Sequence, residues 1–136
     1  MTLSEIESAA NTAGVKPAWY VRLRLNDEVA IVSFRKKNGD ERHALCTCAP
    51  RAITMEHGDI VYMLHAHQKR MEGKENNVSF IDLALGEPRC FDIDRLENIE
   101  FLGSVNDAHE MSAVYDRFNW YLRDRESTNN NGFDAL

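Results

Sequence analysis

The sequence predicts a mainly β, α+β domain, a small antiparallel barrel with a helix at each end. Three observations carry this reading. Short β-branched and aromatic runs are separated by turn residues throughout the middle of the chain. The dipeptide Asn38-Gly39 lies between two such runs and is a strong short-range hairpin signal. Helical spacing of apolar residues is confined to the two ends.

The elements follow in order. Thr2 and Ser4, with Glu5 and Glu7 three residues on, fit a capping box, and acidic residues suit the positive end of a helix dipole. A helix over 3–13 follows, stopped by Gly14 and Pro17. The barrel is expected over 19–102. Residues 19–25 alternate Trp19, Val21, Leu23 and Leu25 against Tyr20, Arg22 and Arg24, which predicts a strand. Strands over 28–36 and 41–49 flank the Asn38-Gly39 turn, the second ending at Pro50, which has no N–H for a ladder. Further strands are expected at 60–67, 78–85, 89–93 and 99–102. A polar loop over 68–77 and a helical turn at Asp94-Arg95-Leu96 fall between them.

The last helix is expected over 107–125. Its stripe of Met111, Val114, Tyr115, Phe118, Tyr121 and Leu122 follows the i, i+3, i+4, i+7 rule. Met111, Tyr115, Phe118, Trp120 and Tyr121 are the residue types enriched at interface centres, so this helix is a candidate protein contact and a route to a homodimer. The competing reading is that the stripe closes one end of the barrel. Residues 127–136 hold too little apolar surface to order themselves, leaving 1–126 as one domain.

Composition narrows the chemistry. The chain has 136 residues and a net charge of −6, which opposes non-specific binding to a phosphate backbone at long range. No basic and apolar leader opens it, and no window of about eighteen apolar residues suggests a spanning helix. The three cysteines, odd in number, are expected as reduced thiols, and the expected location is the cytoplasm of a bacterial host. No G-x-S-x-G, P-loop or G-x-G-x-x-G is present, so no catalytic residue is assigned, no cofactor is expected and the chain reads as a binding protein rather than an enzyme.

Two constellations remain. Cys46-x-Cys48 and His65-x-His67, if on adjacent strands, would offer two thiolates and two imidazoles to zinc. A C-x-C pair on a strand spreads its sulfurs by about two residue rises, roughly 6.6 Å, which is wide for one ion. Buried small cysteines are the simpler reading. Arg22, Arg24, Arg35, Lys36, Lys37 and Arg42 gather on the first three expected strands beside Trp19, Tyr20 and Phe34, a basic face with aromatics for stacking. Guarding charges on edge strands would look the same.

The hairpin VAIVSFRKKNGDERHALCTC (29–48), Pro50, and Phe91-Asp92-Ile93-Asp94-Arg95-Leu96 together resemble a family of small bacteriophage proteins with a WYL-like, Sm/SH3-type β-barrel. In that family a K-K-[DN]-G-[TD] hairpin precedes a closing F-x-[LI]-D-R-[IL]. The resemblance covers 19–102 and implies a barrel of about five strands and a phage accessory protein, with no catalytic residues to carry over. The function so expected is binding to a host or phage macromolecule, a protein first of all, and modulation of its activity. Direct nucleic-acid binding through the basic hairpin face is the alternative, and zinc binding through Cys46, Cys48, His65 and His67 the distant one.

Overall fold

The first helix forms where its caps dictate. In a computed structural model describing the backbone of residues 1–134 and the side chains of 1–125, α1 (Leu3–Ala13) begins with a reciprocal Thr2–Glu5 capping box. It ends at Gly14, whose φ of 73° is open to glycine at no steric cost.

The next segment departs from the expected strand. Residues 17–25 form helix α2 (Pro17–Leu25), not β structure. Pro17 stands at the first helical position, where its fixed φ and missing N–H cost nothing. Ala18, Val21 and Leu25, at i, i+3 and i+7, are buried, while Trp19 and Leu23 are left half exposed. The alternation was coincidental, and the helical period carries the burial.

Strands β1 (Val29–Arg35) and β2 (Glu41–Thr47) pair in register from Val29↔Thr47 to Arg35↔Glu41, turning at Asn38-Gly39 as expected. Only Gly39 takes positive φ, 89°. The Lys36 carbonyl accepts the Gly39 N–H and the Lys36 N–H donates to Asp40, the longer hairpin loop in which glycine ends a type I turn.

After β2 come two helices where the sequence suggests a proline-ended strand and then a further strand. Helix α3 (Pro50–His57) again opens on proline, and α4 (Val61–Arg70) replaces the strand expected at 60–67. On α4 Leu64 is fully buried, with Ile60 and Val61 partly buried beside it, while Tyr62 projects into solvent. That is one turn of a helix face, not a strand alternation.

Strands β3 (Asn77–Asp82) and β4 (Glu87–Asp92) form a second hairpin, and a 3-10 turn (Ile93–Arg95) leads to β5 (Leu96–Phe101). The strands lie in the order β4-β3-β2-β1-β5, all neighbours antiparallel. The sheet is open, with β4 and β5 as its edges, and not the closed barrel that the sequence suggests. These edges are nevertheless consecutive in the chain, joined only by the 3-10 turn. Pairing between β2 and β3 is brief, limited to Cys46↔Asp82 and Thr47↔Ile81.

Both faces of the sheet are covered. On one, Ala30, Val32 and Phe34 of β1 and Ala44 and Cys46 of β2 pack with Phe80, Phe91 and Ile99 against Ile6, Val21, Leu25 and Leu64 of the helices. On the other, Val29, Ile31 and Leu45 meet Met111, Val114 and Phe118 of the last helix, α5 (Ala108–Asp134). A strand buried on both faces reads as an apolar run, as Val29–Val32 does, with the buried Ser33 the one polar residue before Phe34.

The α5 backbone runs past Arg125, its expected end, to Asp134; extending a formed helix costs less than starting one. The tail expected at 127–136 lies outside the residues whose side chains are described. Among the described residues, no helix is long and apolar enough to cross a membrane.

Candidate functional site: a basic cleft at the hairpin end

The β1–β2 hairpin, the end of β4 and the 3-10 turn meet at one end of the sheet. Phe34 stacks on Phe91 with ring centroids 5.4 Å apart, and Phe80 packs on Phe91 at 6.0 Å, fixing the two hairpins against each other. The Arg95 guanidinium donates to the Lys36 carbonyl at 2.9 Å, and the Ile93 N–H donates to Asn76 at 2.8 Å. Between these elements lies a cleft of about 660 Å³.

Its lining is cationic. Arg35, Lys36, Lys37 and Arg42 come from the hairpin, Lys74 from the turn after α4, Arg89 from β4 and Arg95 from the 3-10 turn, against one carboxylate, Asp92. Arg35 is held by Glu97, and Arg89 by Glu87 at 2.8 Å with Asp82 at 3.6 Å. Lys36, Lys37, Arg42, Lys74 and Arg95 make no ion pair among the described residues. The half-buried Cys90 thiol also lines the cleft; burial pushes its pKa up, and the charges of Lys74 and Lys37 act against that.

Four of the six expected basic residues thus line one cleft, and two do not. Because α2 is a helix, Arg22 and Arg24 stand about 200° apart around its axis and cannot share a face. Arg24 turns to Glu28, at 2.8 Å, and lies 3.8 Å over the Phe101 ring. Arg22 donates to the carbonyls of Asn77 and Glu75, bracing the turn that carries Lys74; its burial lowers its pKa. Lys74, Arg89 and Arg95 were not expected. Only the docking of distant segments brings them to the hairpin, and nothing in local spacing marks them.

A second cleft, of about 490 Å³, adjoins the first, and Met71, Lys74 and Asn77 line both. Trp19, Arg22 and Leu23 of α2 form its far wall.

The Cys/His set is dispersed. Cys46 and Cys48 are buried in the core, where desolvation raises the Cys46 thiol well above its ordinary pKa and Cys48 to about 12. Cys48 donates weakly to the Ser79 carbonyl at 3.1 Å. His65 is exposed on α4, whereas His67 meets the Ser79 hydroxyl at 2.9 Å. Among the described residues no three His, Cys, Asp or Glu side chains converge to hold a metal ion.

The α5 stripe is occupied within the chain. Met111 and Phe118 are buried against the sheet, Tyr115 donates to the Leu83 carbonyl at 2.7 Å, and Tyr121 meets His43 at 3.0 Å. Of the five interface candidates Trp120 alone is exposed, at 64%. Met111, Tyr115, Phe118 and Tyr121 thus pack on the second sheet face. No protein-family model matches the chain, and no curated protein or solved structure is significantly similar to it.

Proposed function

We propose that this chain is a non-catalytic binding module that engages an anionic macromolecule through the basic cleft. The observation that carries the reading is charge segregation. The cleft lining holds seven cations and Asp92, a formal +6, which leaves −12 for the rest of a chain whose total is −6. Such a field turns an anionic partner toward the cleft and repels it elsewhere, setting orientation and encounter rate more than bulk affinity.

The resemblance to phage Sm/SH3-type accessory proteins belongs to the same proposal. An edge-to-edge link through a 3-10 turn, strand order β5-β1-β2-β3-β4, and the Phe91–Leu96 motif falling on that link all support an SH3-like descent for the sheet. An accessory role in a bacterial host, modulating a partner that is itself part of the nucleic-acid machinery, is the biological form of this reading.

The test compares wild type with Lys37→Glu/Arg42→Glu for binding to immobilised single-stranded DNA, duplex DNA and polyglutamate, with melting curves to verify the fold. Binding of at least one polyanion, lost on charge reversal at unchanged melting temperature, supports the cleft. Equal binding by both proteins, or none by wild type, refutes it.

A further inference from the structure

We infer that the two adjoining clefts form one track for single-stranded nucleic acid, with phosphates at the cationic cleft and a base stacked on Trp19 in the second. This rests on the binding-module reading above and names its partner.

Continuity comes first. Met71, Lys74 and Asn77 line both clefts, so a strand leaving the cationic cleft passes over this turn into the other. The turn is held: Arg22 reaches the carbonyls of Glu75 and Asn77, and Lys16 pairs with Glu75.

The two halves differ as a nucleotide chain requires. In the first, Lys36, Lys37, Arg42, Lys74 and Arg95 make no ion pair among the described residues. The second is close to neutral, since Arg22 and Lys74 face Glu72 and Glu75 there. Its remaining wall includes Trp19, Leu23 and Met71. Trp19 is 50% exposed on a helix whose buried side is already complete without it. An indole face beside a cationic track suits an unstacked base, and stacking tolerates any base. A duplex keeps its base faces covered and offers Trp19 nothing. An acidic peptide would use the cations and leave the indole unused. Phe34 and Phe91, the aromatics of the first cleft, are buried and stacked on each other, so Trp19 is the available platform.

The test uses full-length protein carrying Trp120→Phe, which leaves Trp19 as the sole tryptophan of the two. A short oligo(dT) and oligo(U) are titrated while Trp19 emission is followed, with duplex DNA and polyglutamate alongside. The expected result is quenching on addition of either oligonucleotide, and affinity reduced about 5- to 150-fold by Trp19→Ala, the worth of one stacked base. The log–log salt slope should flatten by about 1.4 in Lys37→Glu/Lys74→Glu, at roughly 0.7 per phosphate contact on a single strand. Circular dichroism melts verify that each variant is folded. Oligonucleotide binding that leaves Trp19 emission and Trp19→Ala affinity unchanged overturns the track, as does duplex bound as tightly as single strand. Binding of polyglutamate alone, lost in Lys37→Glu/Lys74→Glu, overturns the inference and leaves the binding-module reading standing. Binding of no polyanion overturns both.

Discussion

If both faces of the sheet are interior, adjacent residues of one strand should both be costly to truncate. Ile31 and Val32 of β1 point to opposite faces; Ile31 is 1% exposed beneath α5, and Val32 is fully buried beneath the other helices. Ile31→Ala deletes three carbons, worth about 2.4 kcal/mol of transfer at roughly 0.8 each, and the residual cavity brings the cost to about 3–4 kcal/mol. Val32→Ala deletes two carbons and should cost about 2–3 kcal/mol by the same reasoning. Phe118 of α5 shares the cluster with Ile31 and not with Val32. The double variant Ile31→Ala/Phe118→Ala should therefore deviate from additivity by at least about 0.5 kcal/mol, and Val32→Ala/Phe118→Ala should add. Urea unfolding followed by circular dichroism gives each value, provided m is unchanged. A cost below about 1 kcal/mol for Ile31→Ala is the size of strand propensity alone. That result would mean α5 does not cover this face, and the architecture described above would be wrong.

Three further outcomes follow from local chemistry. His43 has its pKa lowered by burial and then by Arg125, against the pull of Glu41 and Glu97, and His67 is lowered by burial and then by Arg70. The unfolded chain then binds protons first, so stability should fall as pH drops from about 7 to 5, and His67→Gln should flatten that fall in a pH series of urea melts; a flat wild-type profile would contradict it. With a thiol-reactive dye at pH 8, Cys90 should label in the native protein while Cys46 and Cys48 wait for denaturant, and rapid labelling of all three would contradict the buried thiols. Gly14→Ala, at φ 73° in open space, should cost about 1–2 kcal/mol in a urea melt. Gly86→Ala should cost more, because its new Cβ would sit 2.8 Å from His57 Nδ1 as well as at φ 70°; equal costs would mean that His57 yields freely.

What was legible in the sequence was local. The Thr2–Glu5 box, the Asn38-Gly39 turn, the turn at Asp94-Arg95 and the α5 stripe each follow from residues a few positions apart, and each stands where expected. What misled was treating proline only as a terminator. Pro17 and Pro50 each follow a reason for the chain to turn and then open a helix, and Gly58 closes the second. The Trp19–Leu25 alternation imitated a strand because Val21 and Leu25 satisfy both periods; Ala18, too small to weigh in the alternation, decided for the helix. Closure into a barrel was implied by the resemblance, but two helices inserted between β2 and β3 leave those strands only a short ladder. The site was half visible. The hairpin cations are easily seen, Arg35 to Lys37 being consecutive and Arg42 lying just across the turn, whereas Lys74, Arg89 and Arg95 reach them through the Phe34–Phe91 stack and the Arg95–Lys36 bond, both tertiary. The same correction that made α2 a helix removed Arg24 from the face and turned Trp19 toward the second cleft.

The central claim, that the working surface is the basic cleft, is tested most directly by amide chemical-shift mapping during titration with a short single-stranded oligonucleotide. The account predicts shifts confined to residues 35–42, 71–77 and 89–95, joined by the Trp19 indole N–H, with α5 silent. Shifts centred on Trp120 and its neighbours on α5, or spread evenly over the surface, would contradict it.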